Sequence, residues 1–267
     1  MGAPMRQILF VQPREPLKQF HISLYEAHEN SALNARPFFN VGSLRPSKRN
    51  QVGANASGSL IVEKLSLGPL ETNCFIIADS ACNDCVVIDP AWDANKIIGL
   101  VNKRGWDLQA IWLTHAHFDH FGALGTIIKS HPDLPLGLHV MDLPLYQAGG
   151  GAANWGIPID NGHQPTLWFD QSTDLNVGMH NFIVLFVPGH SPGHVAFLET
   201  NSNLLFGGDV LFQGGIGRTD LYGGDFNQLI NSIKLHFLTL SNDTVVYPGH
   251  GSNTTILAEK QYNPYLT

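Results

Sequence analysis

From Ser59 onward, the spacing of apolar and polar residues changes in a regular way along the chain. Leu60-Ile61-Val62, Cys74 to Ala78 and Cys85 to Asp89 are short runs rich in β-branched residues and separated by turns, which predicts three β-strands. Ala94 to Asn102 then places Ile97, Ile98 and Val101 at helical spacing. Ala110 to Leu113 returns to strand. A helix through Leu124, Ile127 and Ile128 should end near His131-Pro132, Pro135 to Val140 reads as strand, and Asp142 to Ala148 suits a short helix.

The second half repeats this logic. Phe182 to Val187 is an apolar strand leading into Pro188-Gly189-His190, and His194 to Leu198 with Asn203 to Phe206 form the arms of a hairpin through Thr200-Asn201-Ser202. Asp225 to Leu240 has Phe226, Leu229, Ile230, Ile233, Phe237 and Leu240 at steps of three and four. One amphipathic helix is expected there, with Asp225 as its cap. Thr244 to Tyr247 is a last strand. Strands alternating with helices in both halves predict an α/β protein with two sheets flanked by helices.

Residues 1–57 differ from this domain. They hold seven Lys/Arg against three Glu, a balance of +4, so residues 58–267 carry −11 of the chain's net −7. The stretch from Arg45 to Ser59 reads as a linker, and the whole segment is expected to be a basic, disordered or loosely docked extension to a 58–267 domain. Ile8 to Val11 is too short for a secretory core, and no run reaches the length of a membrane span. A cytoplasmic location is therefore expected, although the poverty in acids is loosely transit-like and leaves organelle targeting open. An acidic domain with scattered cations also argues against nucleic acid as partner.

The chemistry concentrates in Thr114-His115-Ala116-His117-Phe118-Asp119-His120, directly after the Ala110–Leu113 strand. Pro188-Gly189-His190, Gly207-Gly208-Asp209 and Pro248-Gly249-His250 each follow a short apolar run or a Gly-rich turn. Five imidazoles and two carboxylates at strand ends are what two closely spaced, borderline cations require. His131, His139, His163, His180 and His236 lack such company and are expected to be capped, exposed or packed. The three cysteines form no framework: Cys74 reads as a small buried hydrophobe, while Cys82 and Cys85 bracket a turn and should face each other as ordinary hairpin thiols.

The motif His115-x-His117-x-Asp119-His120 with His190, Asp209 and His250 resembles the metallo-β-lactamase superfamily. The run from Gly208 to Asp220, Tyr247-Pro248-Gly249-His250-Gly251 and Asn263-Pro264 look most like its compact glyoxalase II group, hydroxyacylglutathione hydrolases without the C-terminal helical domain. The resemblance implies a four-layer αββα fold, two mixed sheets sandwiched between helices. It also implies that His115, His117 and His190 hold one metal, that Asp119, His120 and His250 hold another, and that Asp209 bridges them. Two zinc ions suit this set, with iron or manganese also compatible. The implied reaction is hydrolysis of a small-molecule thioester such as a hydroxyacylglutathione by a metal-bridging hydroxide, with Asp119 and Asp209 as the catalytic carboxylates.

Two other readings stay open on the same scaffold. Gly217-Arg218-Thr219-Asp220 also resembles persulfide dioxygenases, which use one iron and would leave four of the seven residues idle. Hydrolysis of a β-lactam or lactone is the other, although β-lactamase versions of the site typically lack a bridging carboxylate. Around the seven, Asp89 could orient a ligating histidine or be a strand-end turn residue, and Thr114 could support the metal loop or merely satisfy backbone. His194 is expected to pack or to support the site, and Ser191 to be a turn residue. Only 17 residues follow His250, so a glutathione moiety would rest on loops such as Gly149 to Gly162, with Trp155, a lid or a plain surface loop. Arg218 could pair with a substrate carboxylate or with Asp220 or Asp225.

Overall fold

The computed structural model describes residues 58–266, together with two short strands, β1 (Ile22–Leu24) and β2 (Ala54–Ala56), which pair antiparallel with each other. The remainder of the expected extension over residues 1–57 lies outside the described residues.

The first half forms a six-stranded mixed sheet of β3 (Leu60–Leu67), β4 (Thr72–Asp79), β5 (Asp84–Ile88), β6 (Asp107–Trp112), β7 (Leu136–His139) and β8 (Leu167–Phe169), in that spatial order. The β3–β4 and β4–β5 pairs are antiparallel, while β5, β6, β7 and β8 run parallel. Parallel neighbours need crossovers, and α1 (Ala94–Arg104) and α3 (Leu124–Ser130) supply two of them. Between these helices, α2 (Phe118–Phe121) is a single turn, and α4 (Leu143–Gln147) follows a short 3-10 turn at Val140–Asp142. The second sheet has the order β16 (Thr254–Thr255), β15 (Val245–Pro248), β12 (Leu204–Gly208), β11 (Val195–Glu199), β10 (His180–Phe186), β9 (Asp174–Val177). Only its β12–β15 pair is parallel. A small hairpin, β13 (Leu211–Phe212) with β14 (Gly215–Ile216), leaves β12, and α5 (Phe226–Ser232) and α6 (Ile256–Tyr262) lie on the outer face.

Side-chain alternation explains the layers. Every residue of β4 is buried. Its Phe75 and Ile77 face the second sheet and meet Phe182, Val184, Phe197 and Phe206 in a core between the sheets, where Trp112 lies 5.4 Å from Phe182 and 5.3 Å from Phe197. Cys74, Ile76 and Ala78 point the other way, into a core with Ile97, Val101, Leu124 and Ile127 of α1 and α3. A third core packs Leu205 and Val246 under Leu229, Ile233, Phe237 and Ile256. A period of two thus buries both faces of each central strand, giving the αββα order.

Several expectations need correction. The late helix does not run unbroken to Leu240: Asp225 caps α5 by accepting from the Gln228 N–H at 2.9 Å, but α5 stops at Ser232 and a π-helical turn, Ile233–Phe237, follows. The wider turn keeps Leu229, Ile233 and Phe237 buried while Phe226 stays exposed. Asp119 sits inside the single turn α2, and α3 starts after Ala123. Cys82 and Cys85 share a hairpin but do not face each other, because Cys85 registers with Ala78 while Cys82 sits in the turn against Asp84 Oδ2. Strands β8 and β9 have no counterpart in the sequence pattern, because three and four residues are too few for periodicity to mark a strand. Among the described residues no helix is long and apolar enough to cross a membrane.

Among the described residues, the β1–β2 pair forms a sheet of its own and joins neither large sheet. A chain beginning at Gly58 should therefore fold, bind metal and turn over within a few-fold of the full chain, as metal analysis and steady-state kinetics would show. An unfolded or inactive truncated chain would mean that the preceding segment completes the domain.

Candidate metal centre

The C-terminal end of β6, at the middle of the first sheet, runs through Leu113 and Thr114 into His115 and His117, and α2 presents Asp119 and His120 one turn later. The turn after β10 brings His190, the end of β12 brings Asp209 and the end of β15 brings His250. Strand ends from both sheets thus meet at one edge of the sandwich. His115, His117 and His190 form one group that could hold a cation, and Asp119, His120 and His250 form a second. Asp209 touches both: its carboxylate lies 3.5 Å from His190 Nε2, 3.5 Å from His120 Nε2 and 3.6 Å from His250 Nε2. Close approach is permitted by Gly249, where a Cβ would lie 2.1 Å from Asp209 Oδ1.

Outer hydrogen bonds aim the rings. His115 Nδ1 donates to Thr114 Oγ1 at 3.0 Å, because that hydroxyl spends its own proton on Asp89 Oδ2 at 2.7 Å. His120 Nδ1 meets Asp89 Oδ2 at 2.9 Å, His190 Nδ1 meets the Arg218 carbonyl at 2.7 Å and His250 Nδ1 meets the Leu70 carbonyl at 3.0 Å. With Nδ1 engaged from outside, each of these rings turns Nε2 inward. His117 differs, with Nδ1 2.8 Å from His190 Nε2. Nε2 of His115, His117 and His120 and Oδ1 of Asp209 are buried without any hydrogen-bond partner. Buried polar atoms are normally satisfied, so a convergent set of orphaned donor atoms fits a metal centre. Asp89, also near His115 and His120, is fully used by Thr114 and His120 and stands outside the centre.

The charges agree with this arrangement. Burial and the neighbouring imidazoles hold His115 well below the usual histidine range and His117 down to about 3. Burial also lowers His190, against the pull of Asp209. His120 goes the other way: burial works against its charge, yet Asp209, Asp119 and Asp89 together raise it well above the usual value. His250 is raised, despite burial, by its contacts with Asp119 and Asp209. Burial opposes ionisation of Asp119 and Asp209, but His120 above all keeps Asp119 at about 2 and Asp209 well below the usual carboxylate range.

The supporting residues fall into place around this set. Thr114 and Asp89 act together, as described. His194 accepts the Asp209 N–H at 3.0 Å through Nε2 and stacks on His115 at 4.7 Å, so its ring holds the site from behind. Arg218 directs its guanidinium away, onto both carboxylate oxygens of Asp220 at 2.7 Å, and only its carbonyl reaches the centre, through His190. Its side chain is 53% exposed, so the pair adds little stability. The Gly149–Gly162 connection begins as a 3-10 turn, Gly149–Trp155, packed so closely on the metal loop that a Cβ at Gly150 would lie 2.4 Å from the Phe118 nitrogen. Trp155 stays largely exposed, its ring 6.2 Å from Phe118.

Other residues of the site escaped sequence reasoning. Thr72 donates to Asp119 Oδ2 at 2.9 Å, and the Asn73 amide ties down the Pro248 and Gly251 carbonyls on either side of His250, at 2.8 and 3.0 Å. Ser191 is more than a turn residue, since its hydroxyl donates to Asp142 at 2.8 Å. Asp142 ends the 3-10 turn that follows β7, the strand beside β6, so unlike Asp89 it does not directly follow an apolar run, and no sequence signal marks it. Asn263, which the sequence already marks through Asn263-Pro264, donates to the Gly215 carbonyl at 3.0 Å and to Glu259 at 2.7 Å, which ties α6 to the hairpin preceding Arg218.

Comparison with known proteins agrees with this geometry. Residues 67–250 match the profile of the metallo-beta-lactamase superfamily. A hydroxyacylglutathione hydrolase GloC of Haemophilus influenzae is 38% identical over 208 residues, which cover 77% of this chain and 97% of the relative. Among solved structures, TTHA1623 in a di-iron-bound form is 40% identical with a TM-score of 0.70, covering 77% of this chain and all (100%) of that one. The BLEG-1 B3 metallo-beta-lactamase is 37% identical with a TM-score of 0.72, covering 78% of this chain and 100% of its own.

Without a cation, the neighbouring carboxylates favour the protonated forms of His120 and His250, so a metal competes with protons there, affinity should rise with pH and loading at neutral pH should release protons. Calorimetry of zinc binding in buffers of different ionisation enthalpy should show release of at least one proton per chain. A buffer-independent heat would mean that the two rings are already neutral.

Proposed function

Because this chain belongs to the metallo-beta-lactamase superfamily, we propose that it is a dinuclear-metal hydrolase of small thioesters, of the hydroxyacylglutathione type. The observation that carries this reading is Asp209, whose single carboxylate lies between two complete groups of inward-facing donors. His115, His117 and His190 would hold one zinc ion, Asp119, His120 and His250 the other, and Asp209 both. Imidazole and carboxylate donors admit iron or manganese as well, and the di-iron form of a 40% identical neighbour makes iron a real alternative to zinc. When bound, such a pair of cations lowers the pKa of water and polarises an acyl carbonyl.

The protein's own groups supply the rest. Asp119, kept ionised and fixed by Thr72 Oγ1 at 2.9 Å, would orient the attacking water through a hydrogen bond to its proton. Asp209, held through its backbone by His194, would keep the two groups at a constant separation. No side-chain nucleophile is needed: Ser191 is completely buried, with its hydroxyl proton donated to Asp142. A thioester fits a chain 38% identical to a hydroxyacylglutathione hydrolase, and three free thiols fit a cytoplasmic setting. One iron on two histidines and an aspartate would leave four inward-facing groups without work, so hydrolysis is favoured over persulfide oxidation.

The test is hydrolysis by zinc-loaded protein across a hydroxyacylglutathione, an acyl-coenzyme A, a lactone and a β-lactam. The glutathione thioester should give the highest kcat/KM; preference for the β-lactam would move the protein to the class of its B3 neighbour. Arg218→Gln should leave KM for the anionic thioester nearly unchanged, since Asp220 already occupies the guanidinium. A KM increase of about tenfold, equivalent to a lost charged hydrogen bond, would instead make Arg218 a substrate contact.

A further inference from the structure

The strands on either side of β6 each lead to a buried aspartate. β5 delivers Asp89, whose partners are Thr114 and His120. On the opposite side, the turn after β7 delivers Asp142, which is completely buried. Asp142 Oδ2 accepts from the Ala116 N–H at 2.9 Å and from Ser191 Oγ at 2.8 Å, and Oδ1 accepts from the Gly193 N–H at 2.5 Å. Ala116 lies between His115 and His117, and Ser191 directly follows His190. One carboxylate therefore joins the loop that carries two members of the first group to the loop that carries the third. None of these bonds reaches Asp119, His120 or His250. The contact is also tight, since a Cβ at Gly193 would lie 2.5 Å from the Asp142 nitrogen.

We infer that Asp142 is the positioning residue of the His115–His117–His190 position, setting the gap between its two loops and hence its affinity for a cation. It leaves the Asp119–His120–His250 position to other supports, chiefly Thr72 and Asp89. This rests on the two-metal reading above. Asparagine at 142 keeps size and shape but offers one acceptor and one NH2 in place of two acceptors. Whichever way the amide turns, a buried N–H of Ala116 or Gly193 faces another donor, and the loops must part.

The test is zinc titration of metal-free wild type and Asp142→Asn, followed by NMR of the histidine ring nitrogens. In wild type both groups should take up zinc. In Asp142→Asn, His120 and His250 should respond at the wild-type zinc concentration, whereas His115, His117 and His190 should need about 10–100-fold more free zinc, the usual effect of losing an outer partner. Equal weakening of all five rings, or no weakening, would overturn the assignment. If Asp142→Asn does not fold, Ser191→Ala, which loses one of the three donors, should give a smaller shift confined to the same three rings. An unchanged titration there would be just as adverse. A wild type that binds a single zinc would overturn the two-metal reading instead, and would be seen before any variant is compared.

Discussion

Burying six ionisable side chains together, with His250 half-buried beside them, is the constraint around which the rest of the molecule is arranged. Charges and unpaired polar atoms removed from water cost several kcal/mol each unless they find partners. Hydrogen bonds from outside fix His115, His120, His190 and His250 by one ring nitrogen, and the other nitrogen is left facing inward. Among the inward atoms, Nε2 of His115, His117 and His120 and Oδ1 of Asp209 are buried with no hydrogen-bond partner in the protein. A pair of divalent cations would satisfy them all and would reverse the electrostatic conflict between carboxylates held ionised and imidazoles held neutral or charged by turns.

The fold makes this arrangement possible by sending strand ends from two sheets to one edge. β5, β6 and β7 run parallel, so Asp89, His115 and Asp142 emerge side by side. The parallel β12–β15 pair in the second sheet does the same for Asp209 and His250. Rigid strands set the spacing to within fractions of an ångström, while the short turns after them leave side chains free to converge. The inter-sheet core around Trp112, Phe182 and Phe197 holds the two sets of strand ends in register. A substitution deep in that core would therefore act on the candidate metal centre without touching it.

Much of this was legible in the sequence, for physical reasons. Strands such as Cys74–Ala78 and Cys85–Asp89 are apolar on both faces because both faces are covered, and that left an unmistakable run. The seven candidate residues stood out because His and Asp at strand ends have few other reasons to cluster. What stayed hidden depended on tertiary packing. The π-helical turn at Ile233–Phe237 leaves the three-and-four spacing of buried residues unchanged, so periodicity alone cannot reveal it. Asp142 and Ser191 are ordinary turn residues until β7 and the His190 loop are brought together. The orientation of Arg218 towards Asp220 and away from the centre was one of two possibilities in the sequence, and only the geometry distinguishes them.

The central claim is that two metal positions work as one through Asp209. It is tested most directly by adding zinc in measured steps to metal-free protein while thioester hydrolysis is followed. Cooperation between the positions requires that the rate stay low through the first equivalent and climb with the second, and that Asp209→Asn abolish the climb. Full activity at one equivalent, in the native protein or in Asp209→Asn, would contradict it.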